Sequence, residues 1–188
     1  MGHKEIEIRK KATSKKTLLG FLSQNAKQIV RSTTQTDIYF TPQHEDYSKK
    51  EPIEKWFRLR LSNEGNSLTF KKWYFNDVGK SENHCDEYEI NISDGETAKK
   101  LISALDFQEL VTVIKKRAIW IYNGIEIAID EVQNLGTFVE LEAKKVDGSI
   151  QDILEKLEAL ADELELIEDK SINLGYPILL LKQNGKNK

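Results

Sequence analysis

Charged and apolar side chains alternate at period two along much of this chain. Glu5-Ile6-Glu7-Ile8-Arg9 and Phe138-Val139-Glu140-Leu141-Glu142 carry the pattern most fully. Shorter versions stand at Arg58-Leu59-Arg60, Thr69-Phe70-Lys71, Glu87-Tyr88-Glu89 and Ile129-Asp130. A two-residue period sends successive side chains to opposite faces of a strand. Each stretch therefore predicts a strand with one apolar and one ionic face.

The first strand is expected over residues 4–10. Thr13 or Ser14 can cap a helix running to about residue 28, with Leu18, Leu19, Phe21 and Leu22 as its apolar stripe. Thr36 to Phe40 reads as a strand that Pro42 ends, and residues 43–54 as a surface loop. Trp56 to Leu61 and Leu68 to Phe75 form a hairpin around Asn63-Glu64-Gly65-Asn66. After a second loop over 76–84 come a strand from Cys85 to Ile92 and a helix over 96–105 capped by Asp94. Val111 to Lys116 and Ala118 to Tyr122 are strand material that turns at Asn123-Gly124 into Ile125 to Val132. Asn134-Leu135-Gly136 leads into Thr137 to Lys144, and Asp147-Gly148-Ser149 opens the longest helix, over 150–167.

The sum is an α+β fold of about eight antiparallel strands, with helices after the first, fifth and last. One domain is expected over residues 1–182, followed by a flexible tail at 183–188. Ile6, Ile8, Leu59, Leu61, Leu68, Phe70, Ile90, Ile92, Val139 and Leu141 need cover, and the three helices can supply it. Helices then pack outside, and the ionic faces are left to look at one another. A sheet of about eight strands can close into a barrel, here with a polar tunnel inside.

The inward parity carries seven acids (Glu5, Glu7, Glu87, Glu89, Asp130, Glu140, Glu142) and six bases (Arg9, Arg58, Arg60, Lys71, Lys115, Arg117). Fully ionised they sum to −1, and two divalent cations would make the cavity +3, opposite in sign to a nucleoside triphosphate. Paired glutamates suit Mg²⁺ or Mn²⁺, one or two ions, and guanidiniums suit bidentate contacts to phosphate. The competing reading is solvated sheet faces or structural salt bridges. Recurrence on six strands weighs against it.

Composition narrows the partners. The net charge of −3 gives no support to broad binding of nucleic acid or an anionic membrane. Cys85 is the only cysteine, so an internal disulfide is excluded and a reducing, cytoplasmic setting is expected. No apolar run is long enough to cross a bilayer. His84-Cys85 has no second ligand pair to make a zinc site. Trp56 and Trp73 share parity with the basic strand residues and read as packing groups or as a platform for a base. The acidic side of helix 150–167 reads as a solvent face or a homodimer contact.

Taken together, these motifs resemble the CYTH family, the triphosphate tunnel metalloenzymes founded on class IV adenylyl cyclase and thiamine triphosphatase. The family's Glu-x-Glu-x-Lys stands here as Glu5-Ile6-Glu7-Ile8-Arg9, with Arg in the last place. The resemblance continues through Asp37-Ile38-Tyr39-Phe40, the basic and acidic strands above, Lys115-Lys116-Arg117, and the block from Ile129 to Glu142. Gly175-Tyr176 best matches the C-terminal Ser-Tyr motif. The resemblance implies a metal-dependent enzyme acting on ATP or another triphosphate. Glu5, Glu7, Glu87, Glu89, Asp130, Glu140 and Glu142 would serve the metal, and Arg9, Arg58, Arg60, Lys71, Lys115 and Arg117 the triphosphate. Glu5, Glu7, Arg9, Asp37, Lys115 and Arg117 would be the catalytic set. Conversion of ATP to cyclic AMP and pyrophosphate is the leading expectation. Hydrolysis of tripolyphosphate, thiamine triphosphate or a nucleotide is the alternative, as is a sensor that binds without turnover.

Overall fold

The computed structural model describes residues 6–75, 82–144, 149–168 and 175–185; Glu5 and the side chains of His84 and Cys85 lie outside the description. Nine strands and four α-helices are present among the described residues. They are β1 (Glu7–Ala12), α1 (Lys15–Asn25), β2 (Lys27–Pro42), β3 (Lys55–Ser62), β4 (Asn66–Phe75), β5 (Glu82–Ile92) and α2 (Gly95–Ala104). The remainder are β6 (Phe107–Tyr122), β7 (Ile125–Val132), β8 (Gly136–Ala143), α3 (Ile150–Glu163), β9 (Leu166–Ile167) and α4 (Tyr176–Gln183). The sheet order is β5-β4-β3-β2-β6-β7-β8-β1-β9. Among the described residues the two end strands, β5 and β9, are not hydrogen-bonded neighbours.

The chain divides into two compact units: Met1–Thr33 with Lys115–Leu179, and Thr34–Ile114 with Leu180–Lys188. In the first unit β8 is antiparallel to both β7 and β1, and β9 adds to the far side of β1. The turn from β6 to β7 places Asn123 and Gly124 at φ 48° and 79°. Positive φ at both positions is the signature of a type I′ turn, whose twist matches the strands it joins. The apolar faces of these strands (Ile6, Ile127, Ile129, Val139, Leu141) are buried against Leu18 and Leu22 of α1 and Ile153, Leu157, Leu160 and Ala161 of α3. Ser14 accepts from the Thr17 backbone N–H to cap α1, and Ser149 with Asp152 forms a reciprocal capping box at α3. This is the predicted arrangement of helices on the apolar side.

The second unit contains the antiparallel run β2-β3-β4-β5. Its core joins Ile38, Phe40, Leu59 and Ile102, with Leu61, Leu68, Ile92 and Phe107 packed against them. Gly95 opens α2 against the Leu61 side chain of β3, which an added Cβ would displace. Cover by α2 stops short of the end of the sheet. Ile90 on β5, expected to be covered, is 61% exposed.

Several boundaries differ from the sequence reading. β2 and β6 are each sixteen residues long where shorter strands were expected. The helix at 150–167 stops at Glu163, and the short strand β9 follows. α4 is an additional helix, with Pro177 in its first turn, where proline's missing N–H carries no penalty.

Candidate active site

The ionic face of the first unit is assembled by strand register. Arg9 stands opposite Glu140, Glu7 opposite Glu142, and Arg117 opposite Asp130. Directly opposed residues of an antiparallel pair share a face, so these charges converge. Asp130 is fully buried, and Lys115 and Glu140 are nearly so. Arg117 forms a fork on Asp130, Nε to Oδ1 at 2.7 Å and Nη2 to Oδ2 at 2.5 Å, and its Nη2 also donates to Glu140 Oε2. Lys115 Nζ donates to Asp130 Oδ2 at 3.0 Å, and Arg9 Nε to Glu140 Oε1 at 2.8 Å. Three cations thus hold two carboxylates.

Burial alone would raise the pKa of Asp130, but hydrogen bonds and charge from Arg117 and Lys115 outweigh it and hold the carboxyl at about 2. Glu140 follows the same logic: burial opposes ionisation, and Arg117 and Arg9 reverse the balance to depress its pKa. Both acids are carboxylates at neutral pH. Arg117 and Arg9 stay charged despite burial because these carboxylates face them.

Tyr176, the first residue of α4, is placed within the same cluster. Its hydroxyl donates to Asp130 Oδ2 at 3.0 Å. The guanidinium carbon of Arg9 stands 4.8 Å from its ring centroid and Lys115 Nζ 5.4 Å, both within cation–π range. Phe138 packs at 5.1 Å between centroids. Burial, then the charges of Glu140 and Asp130, push the phenol well above its ordinary pKa, so it remains a donor.

A second ionic ladder lies in the other unit, on β2 to β5. Arg60 grips Asp37 through Nε–Oδ1 at 2.6 Å and Nη2–Oδ2 at 2.7 Å, with Asp37 buried. Arg58 Nη2 donates to Thr69 Oγ1 at 2.9 Å and to Glu89 Oε2 at 3.3 Å, and the Thr69 hydroxyl donates to Glu89. Lys71 pairs with Glu87 at 2.9 Å. Tyr39 lies half-buried beside them, and desolvation followed by the charge of Asp37 pushes its phenol up to about 12. Trp56 packs edge-on against Tyr39 at 5.4 Å, as a packing group would.

The expected metal-binding acids are distributed among these contacts. Asp130 and Glu140 are held by cations. Glu87 and Glu89 pair with Lys71 and Arg58. Glu142 accepts from Lys144 at 2.6 Å, and Lys144 also reaches Glu126 at 3.3 Å. Among the described residues no three Asp, Glu, His or Cys side chains form a metal-ligand group. Glu7 and Glu142 nevertheless face each other across β1 and β8. Mg²⁺ typically takes one or two carboxylates and completes its shell with water and substrate phosphates. Two opposed carboxylates with hard oxygen donors fit such an ion, which would also relieve the repulsion of like charges in register.

Three participants, Tyr176, Glu126 and Lys144, are not among the sequence-predicted site residues. Tyr176 was matched to a motif but given no role. Glu126 and Lys144 were passed over, although Ile125-Glu126-Ile127 carries the same alternation as the strands that were noticed.

Known proteins share this arrangement of the chain. A Methanocaldococcus jannaschii protein named as a candidate adenylate cyclase is 28% identical over 178 residues, 95% of this chain and 94% of that protein. A solved Pyrococcus furiosus structure, described as a conserved hypothetical protein, is 26% identical with a TM-score of 0.64, covering 89% of this chain and 93% of that one. A Hippeastrum structure has 17% identity and a TM-score of 0.66 over 97% of this chain and 96% of that one. That protein is described as a candidate adenylyl cyclase with a dominant triphosphatase activity. The CYTH domain profile matches residues 3–176, and the chain belongs to the CYTH domain family.

Proposed function

We propose that this protein is a metal-dependent enzyme acting on a triphosphate, and that its reaction converts ATP to cyclic AMP and pyrophosphate. The carrying observation is the set of one buried and two half-buried cations, Lys115 with Arg9 and Arg117, around the buried Asp130 and Glu140. Burying ions is costly, and a stability role alone would be served as well by apolar packing. Fixed cations in a water-poor setting are instead what a reaction at phosphorus uses, because they oppose negative charge without reorganising. The candidate cyclase name of the M. jannaschii relative supports the reading.

Family membership implies a divalent metal, which would neutralise phosphate charge and align the phosphoryl groups when bound. Glu7 and Glu142, opposed across β1 and β8, would hold it, and Glu5 and Glu140 are proposed as further ligands. Arg9, Lys115 and Arg117 of the first unit are assigned to phosphate oxygens. Asp37 fixes Arg60 by its bidentate grip. In the proposed step the ribose 3′-oxygen attacks the α-phosphorus and gives its proton to solvent water. The bond from the α-phosphorus to the bridging oxygen breaks, and pyrophosphate departs.

Incubation with ATP and Mg²⁺ or Mn²⁺, followed by separation of products, tests the proposal. Cyclic AMP with equimolar pyrophosphate is expected. Orthophosphate alone would replace the cyclase by a triphosphatase. Tight binding of ATP without turnover would leave a sensor.

A further inference from the structure

Register puts three carboxylates in one row of the first unit. Glu7 on β1 stands opposite Glu142 on β8, and Glu142 stands opposite Glu126 on β7. Opposed residues of antiparallel neighbours share a face, with Cβ atoms about 5 Å apart, so like charges lie side by side. Such a row is unfavourable unless cations enter it. Arg9 Nη2 lies 3.7 Å from Glu7 Oε1. Lys144 serves the other two: its Nζ is 2.6 Å from Glu142 Oε2 and 3.3 Å from Glu126 Oε2. Lys144 comes just after β8, two residues beyond Glu142, and so keeps the parity of that face.

Glu142 is also the carboxylate that the proposed divalent ion shares with Glu7. Mg²⁺ binds carboxylate oxygens at about 2.0–2.1 Å. An ammonium hydrogen-bonded to the same carboxylate would face that ion at close range, where like charges repel strongly. The two cations therefore compete for Glu142. They differ in how readily they yield. Glu142 and Glu126 are 18% and 17% exposed, whereas Lys144 is 43% exposed. A lysine ammonium on a flexible four-carbon stem can swing aside without disturbing the core, while the strands fix the carboxylates. Charge balance favours the exchange, because one ammonium leaves two carboxylates one charge short. Glu126 gives the displaced ammonium a partner, so Lys144 can release Glu142 without going unpaired.

We infer that Lys144 is an internal competitor for the metal site: it neutralises Glu142 and Glu126 in the metal-free protein and is displaced from Glu142 when the divalent ion binds. Lys144 thereby sets the metal concentration at which the site fills. This inference rests on the proposed assignment of the metal to Glu7 and Glu142.

The test is Mn²⁺ binding to the full chain without triphosphate, read from the electron paramagnetic resonance signal of free Mn²⁺. Wild type, Lys144→Met, Lys144→Arg and Glu7→Gln are compared. Loss of binding in Glu7→Gln assigns the ion to this row. Lys144→Met keeps the length of an exposed side chain and removes its charge; it is expected to bind Mn²⁺ about 3- to 10-fold more tightly than wild type. Lys144→Arg retains a cation for the same carboxylates and should bind no more tightly than wild type. Titration in about 1 M KCl separates competition by contact from charge acting at a distance, since the Debye length there is about 3 Å. The advantage of Lys144→Met should persist at that salt. Equal affinity of wild type and Lys144→Met would overturn the inference and leave the proposed metal site standing. So would an advantage that disappears at high salt or is shared by Lys144→Arg. Mn²⁺ binding that survives Glu7→Gln unchanged, or is absent from every protein, would refute the metal assignment itself, and the inference with it.

Discussion

Replacing Tyr176 with Phe removes one oxygen from the centre of the first unit and leaves the ring in place. The lost bond is the hydroxyl's 3.0 Å donation to Asp130, a fully buried carboxylate. Hydrogen bonds to charged acceptors contribute about 1.5–3 kcal/mol. Contacts of the ring with Phe138, Arg9 and Lys115 persist in the variant, so no cavity term larger than the hydroxyl is added. For a chain of this size each kcal/mol moves the midpoint by about 2–4 °C, giving a fall in Tm of about 3–12 °C. Urea unfolding at neutral pH should show the same loss with an unchanged slope. A double-mutant cycle with Asp130→Asn isolates the pair, and a coupling of about 1 kcal/mol or more is expected. A loss under about 0.5 kcal/mol, or strict additivity in the cycle, would mean that Tyr176 is not bonded to Asp130 in solution.

The same carboxylate sets an acid limit. Its pKa is about 2 when folded against an ordinary 3.8. A depressed acid stabilises the fold above its unfolded pKa and loses that contribution as pH falls through the folded value. Asp130 thus contributes about 2 kcal/mol at neutral pH, lost between about pH 4 and pH 2, and Asp130→Asn should flatten that limb of a stability–pH curve; an unaltered limb refutes the assignment. Glu7→Gln alters a half-exposed side chain and should abolish metal-dependent turnover with a shift in Tm below about 2 °C; full activity would remove Glu7 from the metal site. Leu157 is fully buried between α3 and the sheet, and Leu157→Ala should cost about 2–5 kcal/mol by denaturant unfolding; under 1 kcal/mol would contradict the packing of α3.

Much of this structure was legible where alternation meets burial. β7 runs from Ile125 to Val132 as read from sequence, because its apolar positions alternate between tight turns at both ends. β2 was read too short because its first residues, Lys27 to Arg31, are largely exposed and carry no apolar period. β6 was split at Lys115-Lys116-Arg117, where three cations in a row look like an interruption. The strand passes through them, burying Lys115 and exposing Lys116 in turn. The cluster of Arg9, Lys115, Arg117, Asp130 and Glu140 was legible from parity alone, since register keeps opposed residues on one face. What parity could not show is pairing. It predicted acids waiting for metal, whereas Asp130 and Glu140 are already gripped by arginine and lysine. The part played by α4 was equally hidden, because Tyr176 reaches the cluster through tertiary packing that no local pattern encodes.

A crystal structure with Mn²⁺ and a non-hydrolysable ATP analogue tests the central claim most directly. Anomalous scattering should place manganese on Glu7 and Glu142, with phosphate oxygens in contact with Arg9, Lys115 or Arg117. Manganese absent from those carboxylates, or the nucleotide bound away from the three cations, would contradict the account.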